Sequence, residues 1–179
     1  ASSASSFAAL TLATYEVAKD LVGADRTVDD LARLSRKGSG SSCRSFHSPW
    51  CFWQGDTVEP VNGLPENLLH SVVVVHQDKK EVSSSEAHLR VLTSALFKGR
   101  VERASERLNN LTVALKENQW RQAFEICWAE FWDMHALFET SHPPFGYMQG
   151  ESVFVVNTAR RCWQDHGDGP LVTMDAGAN

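Results

Sequence analysis

A chain of 179 residues, 42% hydrophobic and 22% charged, has the material for one globular domain, or for parts of two, with a real core. Its net charge of −5 argues against nucleic acid as a partner, so any anion site must gather its cations locally. No apolar run is long enough to span a bilayer, and no membrane association is expected.

The first residues are small, but they lack a basic leader. Glu16, Lys19 and Asp20 soon interrupt them, so they do not read as a signal peptide. With no initiator Met, the sequence is expected to start inside a longer protein. Phe7, Leu10, Thr14, Val17 and Leu21 fall on one face of a predicted helix that Gly23 can end. Ser2 and Ser3 at its start either cap it or frame free N–H groups for a phosphate. Thr27 opens a second helix, with Val28, Leu31 and Leu34 as its apolar stripe and Asp29 and Asp30 in the first turn, where the helix dipole favours them.

The helix feeds Arg36-Lys37-Gly38-Ser39-Gly40-Ser41-Ser42-Cys43-Arg44-Ser45. Glycine permits tight turns and close approach, serine offers hydroxyls, and arginine offers a planar fork suited to carboxylate or phosphate. The stretch reads as a grip for a small, multiply charged anion or as a flexible Gly/Ser loop. A strand is predicted over 48–54, where Trp50, Cys51, Phe52 and Trp53 give two apolar faces and hence deep burial. Gly55-Asp56 marks a turn, and residues 58–70 read as irregular. Val72-Val73-Val74-Val75 predicts a central strand. Lys79, Lys80 and serines follow at its end, a place where ligands gather in α/β folds or else a solvated turn.

Ser85 is expected to cap a helix reaching about residue 95. Val101, Ala104, Leu108, Leu111 and Leu115 mark a longer helix, broken at Glu117-Asn118. Trp120, Phe124, Cys127, Trp128, Phe131 and His135 line the next, which gives an antiparallel pair. Its Trp-rich face reads as core, and His135 as a hydrogen-bonded core histidine. The four cysteines form no Cys-x-x-Cys pair and no zinc spacing, so reduced thiols in a cytoplasmic protein and no protein metal site are expected. His142-Pro143-Pro144-Phe145 predicts a rigid bend. Val153, Val156, Ala159 and Trp163 predict a helix stopped near Gly167, and a short strand over 171–174 leads to Asp175. That aspartate is either a cap or a carboxylate aimed into a cleft. Helical and strand patterns together indicate an α+β class.

The stretches 1–10 and 36–45, Lys79-Lys80-Glu81-Val82-Ser83-Ser84 and Met174-Asp175-Ala176-Gly177 together resemble diphosphomevalonate decarboxylase, in that family's order and at about its spacings. His135 and Pro143-Pro144-Phe145-Gly146-Tyr147-Met148 fit as well. The resemblance implies a partial GHMP-kinase-type two-lobed fold. Residues 1–65 would be the remainder of an incomplete N-terminal lobe of the ribosomal S5 domain 2-like kind, and 66–179 a C-terminal lobe incomplete at its end. It implies ATP-dependent decarboxylation of diphosphomevalonate to isopentenyl diphosphate, with ATP and Mg²⁺, a cytoplasmic location and a homodimeric full-length protein. Ser2 and Ser3 would hold ATP phosphates. Ser39, Gly40, Ser41, Arg44 and Ser84 would contact the substrate, Arg44 at its carboxylate. Asp175 would accept a hydrogen bond from the tertiary hydroxyl, as general base or orienting group. The family's N-terminal strands with a lysine-bearing loop and its final strand have no counterpart here, and Ala178 stands where proline is usual. Two alternatives follow: a related mevalonate or phosphomevalonate kinase or decarboxylase, and a catalytically incompetent partial domain.

Overall fold

The computed structural model describes residues 3–23, 25–75 and 80–177. The chain forms two compact units, Ala1–Glu66 and Asn67–Asn179. In the first, α1 (Ser3–Val22) and α2 (Val28–Ser35) precede a 3₁₀ segment, Gly40–Phe46, and an antiparallel hairpin of β1 (Cys51–Gln54) and β2 (Thr57–Pro60). In the second, α3 (Ser84–Arg90) and two short 3₁₀ turns lead to α4 (Arg100–Lys116), α5 (Trp120–Glu139) and α6 (Gly150–His166).

The expected apolar face of α1 is not the buried one. Leu10, Val17 and Leu21 are exposed within this chain. Ala8 is buried, and Ala4, Thr11, Tyr15 and Ala18 are half-buried on the same side. The reason is close approach: α1 packs on α2 and on the 3₁₀ segment, and small side chains let their backbones come near. Of the expected face, Phe7 does make a contact, since its ring lies against Gly38 where a Cβ would clash. α2 begins as expected. Thr27 accepts from the Asp30 N–H at 3.1 Å, and the Asp30 carboxylate accepts from the Thr27 N–H at 3.1 Å. This capping box holds the Asp30 carboxyl below its usual range, chiefly through the Thr27 hydrogen bonds. Its buried residues are Leu31, Ala32 and Ser35, while Val28 and Leu34 stay exposed.

The predicted strand over 48–54 shortens to β1 and is only partly covered, with Cys51 and Phe52 half-buried and Trp53 and Gln54 exposed. Its partner β2 lies in the stretch read as irregular. Gly55, at φ 58°, makes the turn that pairs Trp53 with Val58. The hairpin is the only sheet among the described residues. The strand expected around Val72–Val75 is not assigned over residues 71–75, and Val72, Val73 and Val74 are exposed. No strand is assigned over residues 171–174 either. Strand propensity alone does not make a strand, since the ladder needs a neighbouring edge.

In the second unit Ser83, rather than Ser85, caps α3 by accepting from the Glu86 N–H at 3.2 Å. The helix ends at Arg90, short of the expected boundary. α4 and α5 pack as a pair, joined through Asn118, whose φ is 56°. Arginines line the contact: Arg103 grips Asp133 with Nε and Nη2, both at 2.9 Å, and Arg107 reaches Asp133 at 2.6 Å and Glu130 at 3.0 Å. Arg100 pairs with Glu130 as well. Val101 and Leu108, expected on the inner stripe, are exposed. The Arg103 hydrogen bonds pull the Asp133 carboxyl down to about 2.

The other face of α5 is core, as its aromatic spacing predicts. Phe131, Val156 of α6 and Met174 form one buried cluster, with Trp128 and Trp132 packed on it. Val82, Ala87, Phe138 and Tyr147 form another. Each fully buried apolar side chain of this kind contributes about 1.5–3 kcal/mol. Tyr147 donates its hydroxyl to the Val82 carbonyl at 2.9 Å, so its one polar atom is satisfied inside. α6 stops at Gly167, whose φ of 68° suits a glycine C-cap.

Candidate active site

The 36–45 stretch is ordered by its own hydrogen bonds. Gly38 and Ser39 N–H groups donate back to the Ser35 carbonyl at 3.0 and 3.3 Å, and the Ser42 N–H donates to Ser39 at 3.0 Å. The buried Ser35 and Ser42 hydroxyls lie 2.6 Å apart. Cys43 is fully buried beside them. With Ser42 and Cys43 turned inward, Gly40, Arg44 and Ser45 face outward. The stretch is therefore a wound platform that displays one arginine and several hydroxyls.

The head of α1 comes to this platform, with Ser3 Oγ 3.4 Å from Ser39 Oγ. Ser3, Ser39, Gly40, Ser41 and Arg44 thus belong to one region of the first unit. Ser2 lies outside the described residues. Among the described residues no carboxylate pairs with Arg44, whose guanidinium sits 5.8 Å from the Trp53 ring centroid. Arg36 lies over the same ring at 5.3 Å and pairs with Asp56 at 2.8 Å. Sequence reading placed Trp53 in a buried strand and so missed this contact. The Gly55-Asp56 turn was the available signal.

Asp175 lies in the second unit, in a segment whose neighbours are all fixed. Met174 enters the Phe131 cluster. Ala176 packs on the Tyr147 cluster, and its carbonyl accepts from Lys80 Nζ. Gly177 is buried against the Lys80 side chain, with 3.0 Å from Nζ to where a Cβ would stand. Asp175, between Met174 and Ala176, is exposed. Behind it stands His135, 3% exposed, its Nε2 without a partner among the described residues. Burial pushes the imidazole pKa down, and the Asp175 backbone partly offsets this. His135 is thus a core histidine, but it backs the Asp175 segment, which spacing alone could not reveal.

Ser84 is exposed at the first position of α3. Val82 and Ala176 share a cluster, so the head of α3 neighbours the Asp175 segment. Lys80, read in the sequence as part of a lysine- and serine-bearing segment, ties the two together; Lys79 lies outside the described residues. Arg44 and Asp175 occupy different units. Cys127 is held as a thiol, its pKa pushed to about 11 by burial, and burial raises that of Cys51 too. Among the described residues no three His, Cys, Asp or Glu side chains group to hold a metal, and no helix is long and apolar enough to cross a membrane.

Residues 71–179 match the mevalonate 5-diphosphate decarboxylase C-terminal domain, and residues 1–60 the diphosphomevalonate decarboxylase-like N-terminal domain. The diphosphomevalonate decarboxylase of Saccharomyces cerevisiae is 31% identical over 192 residues, covering all of this chain and 48% of that protein. A mevalonate diphosphate decarboxylase from Legionella pneumophila superposes with a TM-score of 0.93 at 45% identity, over 99% of this chain and 56% of that one. The structure of MDDEF in complex with MVAPP, AMPPCP and magnesium superposes with a TM-score of 0.80 at 26% identity, over 99% and 56% of the two chains. The chain therefore spans about half the length of the relatives it matches.

Proposed function

The chain belongs to the mevalonate 5-diphosphate decarboxylase family, and on that premise we propose that its 179 residues are part of a cytoplasmic, homodimeric enzyme. That enzyme uses ATP to convert diphosphomevalonate to isopentenyl diphosphate, ADP, phosphate and carbon dioxide. Residues 1–65 serve as part of the ATP- and substrate-binding lobe, and 66–179 as part of the C-terminal lobe. The observation that carries this reading is the exposed Arg44 fork, without a carboxylate partner among the described residues, on the platform of Ser39 and Ser41 that Ser3 meets, in a chain matched to the family over nearly its whole length.

Phosphoryl transfer needs positioning and charge neutralisation more than covalent help. Ser3, at the start of α1 with an N–H group to offer, holds the ATP phosphates together with Ser2, which precedes it in the sequence. A hard ion such as Mg²⁺ takes oxygen ligands and binds largely through phosphates, which suits the Ser3 hydroxyl here, and it would neutralise charge on the transferring group. Ser39, Gly40 and Ser41 contact the substrate's anionic groups, with Ser84 near the transferring phosphate or the substrate. Arg44 holds the carboxylate in line. It serves alignment rather than electron withdrawal, because the carboxylate must release its electron pair when carbon dioxide leaves. Asp175 accepts the hydrogen bond of the tertiary hydroxyl and orients or deprotonates it. This requires Arg44 and Asp175 to face one bound molecule.

The bare side of α1, with Leu10, Val17 and Leu21, and the unladdered Val72–Val74 favour a second reading for the isolated piece, that it is incompetent alone. Carbon dioxide release from diphosphomevalonate with and without ATP, measured on the full-length protein and on the 179-residue chain, tests both. ATP-dependent release by the first only is expected. No release by the full-length protein would remove the activity, and turnover by the piece would remove the second reading.

A further inference from the structure

Two guanidinium groups lie over one indole. Arg36 Cζ is 5.3 Å and Arg44 Cζ 5.8 Å from the Trp53 ring centroid. An electron-rich aromatic face attracts a cation, and indole does so best. The two arginines are otherwise unlike. Arg36 is paired with the exposed Asp56 carboxylate at 2.8 Å. Arg44 is exposed and has no carboxylate partner among the described residues. Stacking occupies a guanidinium's face and leaves its in-plane N–H donors free, which is the geometry that grips a carboxylate.

The indole itself is locked. Trp53 Nε1 donates to the Gly55 carbonyl at 2.9 Å, Thr57 Oγ1 closes the same turn onto Gln54 at 2.9 Å, and the backbone pairs with Val58 in the β1–β2 register. A flexible four-bond side chain laid on a fixed ring gives up much of its rotational freedom before any ligand arrives. That raises the affinity and the directional precision of its fork.

We propose that Trp53 is a positioning residue that sets the Arg44 guanidinium for the substrate carboxylate, while Arg36, over the same ring, is paired with Asp56. The inference rests on the carboxylate role given to Arg44 above. It assigns Trp53 no contact with the reacting atoms.

The test uses the full-length protein with tryptophan, 5-fluoro-, difluoro- and trifluorotryptophan placed at position 53, in wild-type and Arg44→Gln backgrounds. Fluorination drains the ring face and nearly preserves its shape, so a purely structural role predicts no trend. The expected result is a stepwise rise in substrate KM, about fivefold to thirtyfold in all, with kcat changed less. In the Arg44→Gln background the series should be flat. Trp53→Phe should retain more kcat/KM than Trp53→Leu. A flat series in the wild-type background overturns the proposal, as does a series equally steep without Arg44, which would trace the effect to Arg36. Wild-type kinetics in Arg44→Gln itself would overturn the carboxylate assignment and this inference with it, an outcome distinct from failure of the fluorine series alone.

Discussion

Replacing Asp133 by Asn tests the energetic weight of the ionic seam between α4 and α5. The carboxylate takes two hydrogen bonds from Arg103 at 2.9 Å and one from Arg107 at 2.6 Å, with Arg100 at 3.7 Å. Those contacts lower its pKa from 3.8 to about 2. At 1.36 kcal/mol per unit the shift amounts to about 2.4 kcal/mol, and solvent at the rim of the seam reduces it to about 1–2 kcal/mol. The variant also leaves three arginines to share Glu130, so the loss of local stability near pH 7 should be about 2 kcal/mol. The sign of the pH dependence follows from the depressed pKa. The contribution is complete above the unfolded value near 4 and disappears as pH falls from about 4 toward 2. Hydrogen exchange of amides in residues 100–139 of the full-length protein, corrected for intrinsic rates, reads this locally. A difference between wild type and Asp133→Asn below about 0.5 kcal/mol at neutral pH, or one that persists undiminished near pH 2.5, would refute the reasoning.

Two further variants probe the proposed chemistry. Asp175→Asn in the full-length protein should lower kcat by about 10²–10⁴-fold with little change in substrate KM, measured by carbon dioxide release; an unchanged kcat would strip Asp175 of its role. Arg44→Lys keeps the charge but loses the fork, and kcat/KM should fall about tenfold or more, mainly through KM, so wild-type values would count against carboxylate recognition by Arg44.

Some local signals in the sequence hold in the fold, while others shift, as where Ser83 rather than Ser85 caps α3. Thr27 with Asp30, the helix pair broken at Glu117-Asn118 and the stop at Gly167 depend on neighbours a few residues away, and all appear in the fold. What depends on distant partners was less legible. The large side chains of α1 suggested its buried face, yet of these only Phe7 meets Gly38, and it is Ala8 that packing against α2 and the 3₁₀ segment buries. The inner stripe of α4 looked aliphatic, but Arg103 and Arg107 face acids some 26 to 30 residues away. Val72–Val74 had the composition of a strand without a ladder to join. For the candidate site, the Gly/Ser stretch and Asp175 stood out because their residue types are chemically uncommon in such company. Trp53 did not, and Lys80 and His135, although part of the resemblance, gave no sign of the contacts they make across the fold.

Met174 and Ala176 are each moored to a different aromatic cluster, with Asp175 strung between them. A side chain suspended in this way inherits its coordinates from the interior. Small changes in how α5 and α6 nest together would therefore register at the proposed acid as changes of aim, so the hydrocarbon interior works as the gunsight as well as the foundation.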